Sequence, residues 1–174
     1  MRKLRLLLIN LVSVYNLCAC RSNTPPQTVT QVDINRYAGK WFEIAAYPQW
    51  FEKGCSNVTA TYTVKEKYVE VLNACIKNNK PKNIKGKAFV VKNTGNAKLK
   101  VQFFFPFKGD YWIIDLADDY AWAAVSDRKR KSLWILSRTP QLDESVYNSI
   151  TTSLAKNGFD LNKLKKTDQS LNMQ

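Results

Sequence analysis

The sequence predicts an all-β domain: an eight-stranded antiparallel up-and-down β-barrel with one C-terminal α-helix packed outside. Three observations carry the prediction. Residues 41–137 divide into short segments in which apolar and polar side chains alternate, the period of strands with one buried face. Brief turn signals rich in Asn, Gly, Pro and Lys join them, as sequential hairpins require. A single stretch of helical periodicity follows.

Trp41–Tyr47 is the first predicted strand. Asn57–Val64 sets Val58, Ala60, Tyr62 and Val64 against Thr59, Thr61 and Thr63. Tyr68–Ile76 follows the turn Lys65-Glu66-Lys67, and Asn78-Asn79-Lys80-Pro81 breaks the chain. Ile84–Lys92 is the fourth, with Ile84, Ala88 and Val90 on one side around Gly86. After Asn93-Thr94-Gly95-Asn96, Lys98–Phe105 puts Leu99, Val101, Phe103 and Phe105 on one face. Tyr111–Leu116, Tyr120–Ser126 and Ser132–Ser137 complete the eight. Closing such a meander removes its exposed edges. A sandwich, the competing architecture, would use longer cross-sheet connections. The helix begins at Asp143 as N-cap with a Leu142–Tyr147 staple, presents Val146, Ile150 and Leu154 as one stripe, and ends at Gly158.

The N-terminus reads as an export signal. Arg2, Lys3 and Arg5 precede an apolar run from Leu6 to Val14 that is too short and too diluted to span a bilayer. Leu17-Cys18-Ala19-Cys20 resembles a bacterial lipobox, which makes Cys20 the lipidated first residue. Arg21, rather than an aspartate, implies sorting to the outer membrane. The expected organisation is a signal peptide over 1–19, a lipidated N-terminus and polar tether over 20–32, and the barrel domain over 33–174.

Composition excludes several functions. The chain has no histidine, so Ser-His-Asp and Cys-His catalysis, the usual zinc sites and a histidine pH switch are ruled out. No metal and no cofactor is expected. The formal net charge is +13, yet no basic cluster interleaves with aromatics on one element, so nucleic acid is not an expected partner. Cys55 and Cys75 remain after processing. Export favours a disulfide, and pairing across the Lys65-Glu66-Lys67 turn makes them near neighbours. The alternative, a reactive thiol, needs an activating partner that is not histidine.

Gly39-Lys40-Trp41-Phe42-Glu43 resembles the signature that opens the first strand of lipocalins. Asp119-Tyr120 stands where that family has a second motif, with Asp118 replacing its threonine. Leu133–Pro140 resembles the end of the eighth strand, including Arg138. Phe51-Glu52-Lys53-Gly54-Cys55 and Val58–Tyr62 narrow the resemblance to the bacterial branch, outer-membrane lipoproteins related to apolipoprotein D. The resemblance implies that Trp41 closes the barrel floor under Arg138 in a cation–π contact, and that Gly39, Asp119 and Tyr120 are structural.

Strand parity and the resemblance together give the expected cavity lining: Val58, Ala60, Tyr62, Ile84, Ala88, Val101, Phe103, Phe105, Tyr111, Ile113, Trp134 and Leu136, with Trp50 and Phe51 near the mouth. The set is aromatic and aliphatic, which suits an acyl chain. By resemblance the ligand is a fatty acid or lysophospholipid, the barrel lies on the periplasmic side of the outer membrane, and a homodimer stays open. Two other readings remain: an enzyme using Cys55, Cys75 or Glu43, and a partner-binding envelope-maintenance protein.

Overall fold

A computed structural model describes residues 24–172. The signal peptide and Cys20 lie outside the described residues. A short helix α1 (Ile34–Tyr37) leads into β1 (Gly39–Ala46). Then come β2 (Cys55–Val64), β3 (Val69–Lys77), β4 (Lys80–Val90), β5 (Lys98–Phe104), β6 (Phe107–Leu116), β7 (Trp122–Ser126) and β8 (Leu133–Ser137). Helix α2 (Glu144–Lys156) and a two-residue β9 (Lys165–Lys166) follow. Each of β2 to β8 pairs antiparallel with its sequence neighbour, and β1 pairs with both β8 and β2. The barrel is therefore closed, as alternation predicted; β9 is the addition.

Connections alternate between two ends. The β2–β3, β4–β5 and β6–β7 turns lie at the floor, with Trp41 and Arg138. The β1–β2, β3–β4, β5–β6 and β7–β8 connections lie at the open end.

Several strand limits differ from expectation for local reasons. Asn78 and Asn79 both take positive φ (52° and 57°), so a two-residue turn suffices and β4 starts at Lys80. Tyr120 has φ 64° and belongs to the turn before β7. β5 ends at Phe104 because Phe105-Pro106, a cis peptide, forms the hairpin tip. β6 starts earlier than expected, at Phe107.

There are two apolar cores. The first fills the lower barrel around Trp41, Tyr62, Val71, Leu99, Ile113, Val125 and Leu136. The second lies between the outer wall and α2, where Ile150 and Leu154 are buried against Ala124, Leu133 and Ile135. Leu142 and Tyr147 pack into it, as the staple predicted. The Asp143 side chain, in contrast, makes no capping hydrogen bond. At the other end of α2, the Gly158 N–H donates to the Ala155 carbonyl and the Phe159 N–H to the Leu154 carbonyl. Gly158 has φ 80°, which completes a Schellman turn with Phe159 packed on Leu154.

The described part of the segment read as a tether, residues 24–32, is docked on the barrel. Val32 is fully buried and donates to the Gly95 carbonyl, Val29 donates to the Ile113 carbonyl, and the Thr24 carbonyl accepts from Arg130. Two valines in a polar stretch find apolar surface at the floor and lower wall, which outweighs their neighbours' polarity.

Candidate ligand-binding barrel

The floor is built around Trp41, which has no solvent exposure. The Arg138 guanidinium carbon sits 3.8 Å from the centre of its ring. That guanidinium donates to the carbonyls of Arg36, Tyr37, Lys40 and Tyr120, and the Trp41 indole N–H donates to Tyr37 O. The charge is thus held by four carbonyl dipoles and an aromatic face rather than by a carboxylate. Gly39 has φ 97°, and a Cβ there would stand 3.3 Å from Arg138 Nη1, so this strand opening requires glycine. Asp119 accepts from the Ala121 N–H, and the Tyr120 hydroxyl accepts from the Asp33 N–H while its ring lies under Arg36. The five signature residues form one locked floor.

Above the floor sit three tyrosines. The Tyr111 hydroxyl lies 2.7 Å from that of Tyr37 and accepts from Tyr62 at 2.8 Å. Burial pushes all three phenols above their ordinary range, so they stay protonated at neutral pH. Tyr37 comes from α1 and escaped parity reasoning, which covers strands only.

The wall divides by depth. Low in the barrel Ala88, Ile113 and Leu136 are buried. Ala60, Val101, Phe103, Tyr111 and Trp134 face the same interior but remain partly accessible. Ile84 is half-buried at an inward register position, and Val58 is buried within the irregular stretch of β2 between Ser56 and Thr59. In a closed barrel, access to inward side chains comes from the open end, so these residues outline a lumen above a sealed floor. Gly86 helps shape it: a Cβ there would come 2.7 Å from Phe103 Cδ1, so Phe103 lies over the glycine. Leu99 shares the inward parity of Val101 and Phe103, and β3 adds Val69, Val71 and Asn73 to the expected wall. Val69 and Val71 face inward. Asn73 shares their parity, and its Oδ1 is buried without a hydrogen-bond partner among the described residues.

One residue of the expected lining does not face the lumen, and the two expected near the mouth stand on its rim. Phe105 is 89% exposed at the β5–β6 tip, because the strand ends before its parity can turn it inward. Trp50 and Phe51 stand on the rim at 86% and 49% exposure. In their place the β1–β2 loop turns Glu52 inward, toward Glu43 and the Trp134 indole. Burial first, then the neighbouring Glu43 carboxylate, pushes the Glu52 carboxyl up to about 8, opposed by its hydrogen bond with Trp134. Burial likewise raises Glu43, opposed by the Thr167 hydroxyl that donates to Glu43 Oε1. Cys55 and Cys75 are disulfide-bonded, Cα atoms 5.6 Å apart, and tie β2 to β3 beside the mouth. Among the described residues no cluster of His, Cys, Asp or Glu is arranged to hold a metal.

A closed eight-stranded barrel with an aromatic-and-arginine floor, an apolar lumen and an external helix defines the class of small-hydrophobe binding barrels. The chain belongs to the lipocalin family: the family model described as Lipocalin-like domain matches residues 32–169. It is 38% identical to the outer membrane lipoprotein Blc of Escherichia coli (strain K12), over 87% of this chain and 89% of that protein. It is 36% identical to temperature-induced lipocalin-1 of Arabidopsis thaliana, covering 83% of each. With apolipoprotein D of Bos taurus it shares 35% identity over 83% of this chain and 80% of that one. Among solved structures, insecticyanin from the tobacco hornworm Manduca sexta superposes with a TM-score of 0.71 at 20% identity, covering 88% of each chain.

Proposed function

We propose that this lipocalin is an exported lipoprotein, anchored in the outer membrane through Cys20, that carries a single-chain lipid in its barrel without transforming it. The observation that carries the reading is the change in burial up the barrel: a sealed floor beneath inward Ala60, Val101, Phe103, Tyr111 and Trp134, which stay partly accessible. An acyl chain covering them gains about 0.8 kcal/mol per buried methylene. The tyrosine hydroxyls and the unpartnered Asn73 Oδ1 give a polar group inside the lumen something to bond. Fatty acids and lysophospholipids both fit that description. The relatives named outer membrane lipoprotein support the anchoring part. The catalytic alternative loses its cysteine nucleophiles to the disulfide, and its remaining acid, Glu43, is engaged by Thr167.

The test fills the lumen. Ala60→Trp places an indole among the accessible inward side chains. The expected result is at least tenfold weaker binding of oleate and of oleoyl-lysophosphatidylethanolamine, with melting changed by only a few degrees. Unchanged affinity in a folded variant would refute a lumenal site. Turnover of either lipid by the wild type would favour an enzyme.

A further inference from the structure

The geometry points to the open end of the barrel as a docking face for an anionic lipid bilayer. Two features of this end are not used by the lumen. The first is its aromatic rim. Trp50 and Phe51 project from the β1–β2 loop, and Phe104, Phe105 and Phe107 from the β5–β6 hairpin; all five are exposed, Phe105 at 89%. They stand on separate connections around one mouth, and none is required by the core. Tryptophan and phenylalanine so placed suit the headgroup region of a bilayer, where an apolar ring is half-immersed.

The second feature is charge. Every open-end connection is basic: Lys53 after β1, Lys77, Lys80 and Lys82 around the β3–β4 turn, Lys108 after β5, and Arg128, Lys129 and Lys131 in the β7–β8 turn. Carboxylates at this end are fewer than its cations: Asp168 is exposed beside Asn57, and Asp110 is paired with Lys100. Glu52 is turned into the barrel, and Asp127 is occupied by the N–H groups of Lys129 and Lys131. The floor also carries cations, Arg36, Lys40, Lys65, Lys67, Lys92 and Arg138, but four carboxylates, Asp33, Glu66, Asp118 and Asp119, stand among them. The open end thus has the larger excess of positive charge, and it is the end that carries the exposed rings. Basic groups interspersed with exposed aromatic rings complement an anionic bilayer.

The path of the N-terminal segment agrees. It leaves the floor at Val32 and runs along the outer wall to Thr24, whose carbonyl is held by Arg130 of the β7–β8 turn. Only three residues lie between Thr24 and Cys20, a reach of at most ~14 Å when extended. An anchor at Cys20 would therefore emerge on the mouth side. This last argument rests on the anchoring reading above; the rim and its charge do not.

The test uses the full mature chain, exported behind a cleavable signal with Cys20→Ser so that no lipid anchor contributes. Co-sedimentation is measured with phosphatidylcholine vesicles, with and without phosphatidylglycerol. Binding should require phosphatidylglycerol, fall with salt, and weaken about fivefold for each lysine neutralised, so that Lys80→Gln with Lys82→Gln costs roughly 25-fold. Phosphatidylglycerol brominated in its acyl chains should quench wild-type emission more than that of Trp50→Phe, which places Trp50 in the bilayer. Equal binding to neutral vesicles, or no difference in quenching, would overturn the proposal. So would a concentration-dependent dimer that is lost on Phe105→Ser with Phe107→Ser, because the rim would then be an interface between two copies. The mass of the wild-type mature N-terminus reports lipidation at Cys20 separately, so failure of the anchor and failure of the docking face are distinguishable.

Discussion

Replacing Glu52 by Gln should change how stability depends on pH more than it changes the fold. The Glu52 carboxyl lies inside the mouth facing Glu43, and burial carries it from its ordinary value of 4.5 to about 8. An acid whose folded-state value is raised binds its proton more tightly in the native protein. Its protonated form therefore favours the fold, and stability falls as pH rises from the unfolded value through the folded one. Each pH unit in that window removes up to ~1.36 kcal/mol, so the span from roughly pH 5.5 to 7.5 costs at most about 2.5 kcal/mol. For a domain of this size that is roughly 5–10 °C in Tm. Glutamine keeps an oxygen for the Trp134 N–H and cannot ionise. Melting followed by circular dichroism across this range should give curves that converge at the acidic end and separate at the alkaline end, the variant being more stable. Glu43, raised by the same burial, adds slope of the same sign to both proteins, so the difference between the two profiles is the quantity read. Parallel profiles would mean that Glu52 is solvated and that the loop does not fold into the mouth.

Two further outcomes follow from the floor and the seam of the barrel. Arg138→Ala removes a cation–π contact and four donated hydrogen bonds, and should cost ~2–3 kcal/mol while leaving lipid affinity within about twofold. Lost binding with unchanged melting would reverse that assignment. Gln169→Ala removes the side-chain amide that donates to both Glu43 O and Val58 O. It should cost about 2 kcal/mol and speed hydrogen exchange in the upper halves of β1 and β2, whereas unchanged exchange would show the seam closing without it.

Strands were legible where alternation was clean. Ala60 and Tyr62 kept their predicted face, as did Val101 with Phe103 and Trp134 with Leu136. The signature residues were legible as a set because each is demanded by a local geometry: glycine at positive φ, an indole beneath a guanidinium, an aspartate capping a turn. What was hidden depended on neighbours distant in the chain. Glu52 reads as a solvated loop residue, and its sequence surroundings do not say that the loop folds inward. Phe105 reads as the last inward position of β5 until the hairpin tip takes it. Val29 and Val32 sit among polar residues, and only the barrel's own surface makes their burial favourable. The length of β9 is below what any periodicity can detect.

The seam between β1 and β2 has a consequence for how the molecule assembles. The direct ladder between these strands spans only Gly39–Phe42. Beyond it β9 pairs with Ala45 and Ala46, and Gln169 bridges the two strands across 126 residues of sequence on the β1 side. The upper part of the joint that closes the barrel is thus supplied by residues that follow all eight barrel strands and α2 in the chain. Without them, β1 beyond Phe42 has no partner on its β2 side. Full closure therefore couples the first strand to a segment beyond α2, so the barrel is completed as one cooperative unit rather than hairpin by hairpin.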